Sequence, residues 1–376
     1  MKEHAIIPIF IPHRGCPHAC VFCDQRAITA RDGDITPKQA EEIIEDYLPT
    51  LSGRGLSEIE IAFFGGSFTG IPMEEQSAFL TVAKKYKDAG KVSRIRLSTR
   101  PDYINEEILR NLKDYSVDTI ELGVQSFDEA VLAASGRGHD AASVYRACEQ
   151  IRAYGFMLGI QLMIGLPRDT RETAVRSARL AAELAPEMAR LYPTVILKNT
   201  ELCRMYQSGS YVPPTHEEMV GTVAEMYRIL TEAGVNVIRV GLKSTELISE
   251  SGDSAVFGNS YHPAFRQLVQ GVLARQKIEE RIREILGERA GTAGEQSSAA
   301  RTRILISAGN KGFSAVIGHQ GVNRKYFTEH YPELVFEYKR SSILQNEEIV
   351  VEAADEEEGI KIASGKSGRQ NSERGK

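Results

Sequence analysis

The sequence predicts an α/β protein: a partial, open (β/α)6 barrel of the TIM type followed by a small α+β C-terminal domain. From residue 5 to about 245, short β-branched runs alternate with longer amphipathic segments, the pattern of repeated βα units around a parallel sheet. Several of these runs are apolar on both faces, as strands covered by helices are. After about residue 255 the alternation stops and a long helical periodicity takes over.

In chain order the strand runs are Ala5–Ile11, Glu58–Phe64, Arg94–Thr99, Thr119–Gln125, Met157–Ile164 and Arg190–Leu197, with Val235–Val240 as a candidate edge strand. Helix starts are legible between them. Thr36-Pro37 places an N-cap before a proline at the first helical position, and Thr215 with Glu218 forms a capping box. The helix after the fifth strand is expected to stop before Pro186. Six βα units fit an open barrel, because a closed eightfold one takes more chain. Beyond it, Phe265, Leu268, Val269, Val272 and Leu273, then Ile278, Ile282, Ile285 and Leu286, mark a long amphipathic helix. A Gly/Ser/Ala-rich linker at 291–300, a strand at Arg303–Ser307, a helix, a Gly-x-x-Gly turn, another helix and a strand pair through Val351 complete the chain. The expected domains are therefore 1–255, 256–350 and a remainder, 351–376, holding the end of the last strand and a charged tail too poor in apolar residues to fold. No internal repeat occurs at a solenoid period.

The length of 376 residues agrees with two or three domains at about 150 residues each. A net charge of -5 gives no global attraction to nucleic acid, so any such binding needs a local patch. The longest apolar stretch, Phe156–Pro167, is broken by Gln161 and falls short of the ~20 residues of a membrane span. The N-terminus lacks the cationic start, apolar region and cleavage site of a secretory signal. A cytoplasmic protein without membrane contact is expected.

Five cysteines, three of them within eight residues, do not make a disulfide framework. Cys16, Cys20 and Cys23 sit in one loop directly after the first strand, where parallel barrels keep their active sites. Four cysteines hold a ferredoxin-type cluster completely; three leave one iron of a [4Fe–4S] cluster open to a substrate or cofactor. The rival is zinc, with His13 or His18 completing a tetrahedron. No second knuckle accompanies the triplet, since Cys148 lies alone on a helix and Cys203 on a loop, both reading as buried structural thiols.

The C-x3-C-x2-C spacing, with Phe22 just before the last cysteine, resembles the signature of the radical S-adenosylmethionine (SAM) superfamily, and the resemblance extends over roughly residues 5 to 350. It implies a [4Fe–4S] cluster on Cys16, Cys20 and Cys23 and SAM as cofactor. Phe64-Gly65-Gly66-Ser67-Phe68 stands where that superfamily keeps a glycine-rich strand end beside the methionine amino group. Leu97–Asp102, Gly123–Phe127, Ser135–His139 and Gln161–Pro167 resemble motifs shared by the Elongator catalytic-subunit family and the oxygen-independent coproporphyrinogen III oxidase family. The resemblance thus puts Phe22, Gly65, Gly66, Ser67, Ser98, Gln125, Arg137 and Gln161 toward the cofactor. Ser98 replaces the ribose-binding Glu of the oxidases and Gln161 their Asp; both can still hydrogen-bond hydroxyls. Arg137 offers a bidentate fork for the methionine carboxylate. The mechanism so implied is reductive cleavage of SAM to a 5′-deoxyadenosyl radical that abstracts hydrogen inside the barrel, with a low-potential donor such as flavodoxin or ferredoxin as reductant.

Within the superfamily, Ser98–Asp102, Arg137–His139, Leu191-Tyr192-Pro193 and Tyr261–Phe265 resemble the Elongator branch, whose enzymes modify the wobble uridine of tRNA. Residues 256–350 have neither the length nor the glycine pattern of the acetyltransferase domain of those enzymes, so their carboxymethylation does not carry over. The oxidase-like family and its haem-chaperone relatives are the rival, although their lead into the first cysteine is replaced here by Phe10–Gly15. A non-catalytic metal-binding regulator is a third reading. One feature speaks for tRNA or another RNA. Gly318-His319-Gln320-Gly321, followed by Arg324 and Lys325, resembles the Gly-x-x-Gly turn with which KH modules clamp nucleic-acid backbone. Residues 301–345 carry seven Lys/Arg against three Glu, a local +4. His262 is a further candidate, as an acid or base or as a structural residue.

Overall fold

Alternation along the first strand sets the architecture. In β1 (His4–Ile11), Ile7, Ile9 and Ile11 are buried while Ile6 before them and Pro8 and Phe10 between them are half-buried, so successive side chains serve opposite faces. In β2 (Glu58–Gly65), Phe63 packs on Phe68 and Phe79, and its neighbour Phe64 takes the other face. The computed structural model describes residues 4–11, 15–16, 20–24, 35–242, 244, 248, 254–258, 260–292, 302–345 and 347–354.

β3 (Arg94–Thr99), β4 (Thr119–Gln125), β5 (Met157–Ile164), β6 (Met188–Pro193) and β7 (Asn236–Val240) follow. All seven strands lie in one sheet in sequence order, each parallel to its neighbour. The sheet is curled. The Arg190 guanidinium of β6 stands 4.9 Å from the ring centroid of Phe64 on β2, a distance that side chains four strands apart reach only across a concave face. The result is a partial TIM-like barrel with a lumen.

The connecting helices are α1 (Pro37–Leu51), α2 (Met73–Asp88), α3 (Glu106–Asp114), α4 (Glu129–Ala134), α5 (Ala141–Ala153), α6 (Arg171–Glu183), α7 (Glu201–Gln207) and α8 (His216–Glu232). Thr36 is the N-cap of α1 and Thr215 closes a capping box with Glu218, as the sequence predicts; Gln39 makes the first cap a box as well. α6 ends before Pro186. Two boundaries differ from expectation. The sixth strand spans Met188–Pro193 instead of Arg190–Leu197, because after Pro193 the chain leaves the ladder; Val195 and Leu197 pack with Ile248 and Tyr261 in a separate cluster. Cys203 lies on α7, not on a loop, with Thr200 as the N-cap.

By contact the chain divides into Met1–Arg266 and Gln267–Lys376. In the second unit α9 (Phe265–Thr292, its first two residues in the first unit) runs into the segment expected as linker, and 293–300 lie outside the described residues. β8 (Thr302–Ala308), α10 (Phe313–Ile317), α11 (Val322–His330), β9 (Leu334–Arg340) and β10 (Ile349–Ala354) complete an α+β fold. The last two strands do not pair with each other. Both flank β8, β9 parallel and β10 antiparallel. Ile278, Ile282 and Ile285 of α9 bury themselves against Ile304, Ile306, Val316 and Phe327, which is the amphipathic stripe the sequence announces. The charged tail after Ala354 lies outside the described residues.

Candidate active site

The loop after β1 is drawn onto the end of β2 by glycine. Gly15 has φ +71°, and a Cβ there would lie 2.1 Å from the Ser67 carbonyl oxygen, so no larger residue fits. That approach brings Cys16 Sγ within 3.3 Å of the buried Ser67 hydroxyl. Further on, the Val21 amide donates to Ser135 O at 3.1 Å, and the Leu202 amide donates to Val21 O at 2.7 Å. Phe22, beside Val21, packs on a cluster of Ile196, Leu202, Cys203 and Tyr211. The loop is therefore pinned from both sides around Cys20, whose Sγ accepts from Arg137 at 3.2 Å. Burial, and then the neighbouring Cys20 and Cys16, push the Cys23 thiol up to about 12, with Arg137 acting in the opposite direction.

Arg137 joins this loop to the strands. It also donates to Gly123 O at 2.5 Å. Gly123 sits at a register shift in β4 that leaves Gln125 at φ +69°, an uncommon conformation for a side-chain-bearing residue. Gln125 then accepts from the Gln161 amide of β5 at 3.1 Å. Four candidates of the sequence, Cys20, Arg137, Gln125 and Gln161, thus form one connected group at the strand ends. Ser98 is half-buried on the lumen side of β3. Gly65 has a more local duty: at φ +111° its missing Cβ would stand 2.7 Å from Ile11 O, and the Gly66 amide donates to that same oxygen at 2.8 Å.

The donor set suits an iron–sulfur cluster, since three soft thiolates spaced along one loop can each take a different iron. Among the described residues no three His, Cys, Asp or Glu side chains converge on a single-ion site, and His13 and His18 lie outside those residues. Two buried guanidinium nitrogens near the loop are left as free donors. Arg137 Nε and Arg100 Nη1 are buried without a hydrogen-bond partner, although such groups are normally paired. Arg100 is held by Asp102 through two bonds of 3.0 and 2.9 Å. Burial, then Arg137 and Arg100, press the His139 imidazole down to about 4.

Sequence reasoning missed a second layer. Glu60, Arg96, Glu121 and Arg190 form an ion-pair chain across the barrel floor, at 2.7 Å from Arg96 to Glu60, 3.6 Å from Arg96 to Glu121 and 2.8 Å from Arg190 to Glu121. Its signal was present as charges at alternate positions of otherwise apolar strands. The Gly-x-x-Gly residues are not part of this site. They lie in the second unit, where Gly318 and Gly321 both have φ +78° and Arg324 and Lys325 are exposed on α11. His262 Nδ1 accepts from the Ala264 amide at 3.1 Å, and its ring meets that of His216 edge-on at 6.0 Å. Cys148 and Cys203 are buried free thiols, and burial raises Cys148 to about 11.

Comparison with known proteins gives the family. The profile of the radical SAM superfamily matches residues 10–181, and that of the radical SAM C-terminal domain matches 186–275. The chain is 26% identical over 219 residues to the heme chaperone HemW of Bacillus subtilis, covering 57% of this chain and 56% of that protein. It is 23% identical over 259 residues to the tRNA uridine(34) acetyltransferase of Methanocaldococcus infernus, covering 58% and 48%. The match spans about half the length of these relatives. The solved structure of the archaeal Elp3 of Methanocaldococcus infernus shares the fold with a TM-score of 0.57 and 18% identity, covering 74% of this chain and 64% of that one. No helix among the described residues is long and apolar enough to cross a membrane. With these matches laid over a curled parallel sheet whose first loop carries three cysteines, the chain belongs to the radical SAM superfamily.

Proposed function

We propose that this radical SAM enzyme acts on RNA, with tRNA the first substrate to try, and that it does so in the cytoplasm with a flavodoxin- or ferredoxin-like electron donor. The observation that carries the RNA reading is the turn of the second unit. Gly318 and Gly321 flank a short loop between α10 and α11, and the exposed Arg324 and Lys325 follow on α11. Glycine lets a phosphodiester backbone approach, and the two cations neutralise it. The likeness to a tRNA uridine(34) acetyltransferase supports the same direction.

In this reading Cys16, Cys20 and Cys23 hold a [4Fe–4S] cluster beside SAM. When bound, the two supply one-electron cleavage of the sulfonium and a carbon radical able to remove hydrogen from the substrate. The chain's own residues do the positioning. Arg137 donates to the Cys20 thiolate and keeps its unpartnered Nε for the methionine carboxylate. Gln125 and Gln161, already bonded to each other, offer their remaining amide atoms to the ribose hydroxyls, with Ser98 beside them. Phe22, Gly65, Gly66 and Ser67 shape the wall on which the cofactor rests. The ion-pair chain of Glu60, Arg96, Glu121 and Arg190 fills the lumen below with paired charges.

The test is anaerobic reconstitution with iron and sulfide, reduction with dithionite, addition of SAM, and assay of 5′-deoxyadenosine with and without total tRNA. Release that rises with tRNA and vanishes in Cys20→Ala is the expected result. Cys20-dependent release indifferent to tRNA would redirect the substrate search to small molecules such as tetrapyrroles, the reading that HemW similarity favours. A colourless protein loaded with zinc would overturn the redox reading altogether.

A further inference from the structure

We infer that the lumen seats one planar base of the RNA on a shelf formed by Phe10 and walled by the Phe64 ring, whose face Arg190 covers, where the Tyr192 hydroxyl and the Arg190 guanidinium read the edge of the base. The inference deepens the RNA reading and rests on it. Phe10 and Phe64 occupy the position next to the end of β1 and β2, one residue before Ile11 and Gly65. Both rings are half-buried, with centroids 6.0 Å apart and planes tilted by 39°. They lie at the strand ends from which the cysteine loop and the Gly66-Ser67 turn leave the sheet.

The groups around the shelf are fixed. Arg190 stands over Phe64 at 4.9 Å, bonds Glu121 at 2.8 Å and donates to the Tyr192 hydroxyl at 3.2 Å. Since that hydroxyl oxygen accepts the guanidinium proton on a lone pair, its own O–H remains to donate toward a ring carbonyl. Glu121 is buried and shared with Arg96, which is bonded in turn to Glu60. The two guanidinium charges of this chain and its two carboxylates cancel, which leaves rigid donors without surplus charge. A pyrimidine or purine with carbonyl oxygens suits such a surface: its face stacks on an aromatic ring and its edge takes a neutral donor. The Phe64–Arg190 contact joins the second strand to the sixth across the lumen. A base paired within a helix cannot reach this depth and must be everted or drawn from a loop.

The proposal is tested in the reconstituted holoenzyme. Tyr192→Phe is expected to lower the tRNA-dependent rate of 5′-deoxyadenosine release by about tenfold at saturating tRNA, while the tRNA concentration giving half-maximal release moves by less than about twofold because phosphate contacts dominate strand binding. The chain contains no tryptophan, so Phe64→Trp installs a single indole on the shelf, and its emission is expected to change as tRNA is added. An unchanged rate in Tyr192→Phe, or an indole that ignores tRNA shown by filter retention to be bound, overturns the shelf and leaves the RNA reading standing. A wild-type protein that neither binds tRNA nor responds to it overturns both.

Discussion

Gly318 and Gly321 share a φ of +78° and differ in their surroundings. A Cβ on Gly318 would stand 2.8 Å from the backbone nitrogen of Asn323, whose buried side chain donates to Gly271 O and Ala315 O and so ties the turn to α9 and α10. A Cβ on Gly321 would meet nothing within 4 Å. Gly318→Ala is therefore expected to destabilise the protein by about 2 kcal/mol or more through clash and strain together. Gly321→Asp should cost only about 1 kcal/mol, and it should still weaken tRNA retention, because it sets a carboxylate where a phosphate would lie. Urea unfolding and filter binding of the two variants separate fold from recognition. His139 supplies a second prediction at this scale. Its folded value near 4 lies below the ordinary 6.5, so the native state resists a proton that the unfolded chain accepts. Stability is then complete above pH 6.5 and falls as the pH drops toward 4, by as much as about 3 kcal/mol. Urea midpoints at pH 7 and pH 5 should converge in His139→Gln relative to wild type.

The strands carry the next argument. Glu60 and Arg96, Glu121 and Arg190 occupy alternate positions on four strands and meet in the lumen. Cutting this chain at its shared member is costly: Glu121→Leu removes the buried carboxylate that both the buried Arg96 and the half-buried Arg190 share and is expected to cost about 3 kcal/mol. Glu121→Gln, which keeps an acceptor, should cost less, and urea titration of both variants tests that order. The same elements show what sequence makes legible. Ile7, Ile9 and Ile11 alternate so plainly that β1 is found to within a residue, and the spacing of Cys16, Cys20 and Cys23 resembles a signature whose family the profile match shows. By contrast, Arg190–Leu197 looks continuous because apolar residues run past Pro193, and only tertiary packing shows that Val195 and Leu197 belong to another cluster. The bulge that turns Gln125 to φ +69°, and the meeting of Arg137 with Cys20 across 117 positions of chain, depend on register and closure, which local pattern does not encode.

At the scale of the whole molecule, charge is distributed unevenly. The chain carries -5 overall, while residues 301–345 carry a surplus of cations. A polyanion is therefore repelled weakly by the protein at large and attracted by one region, and binding through such a region weakens steeply as salt rises. The two cations after the Gly-x-x-Gly turn are not equivalent. Lys325 lies 3.8 Å from Glu329, which already neutralises part of its charge. Arg324 has its guanidinium 5.6 Å from the Tyr338 ring, a contact that orients the cation without cancelling it. Arg324→Ala should consequently reduce the slope of log K against log salt for tRNA by about 0.7 to 0.9, and Lys325→Ala should reduce it by less. Loss of tRNA-dependent 5′-deoxyadenosine release in Arg324→Ala that is restored by raising the tRNA concentration would identify the second unit as a docking element. Equal slopes in wild type and both variants would remove these two residues from the nucleic-acid interface.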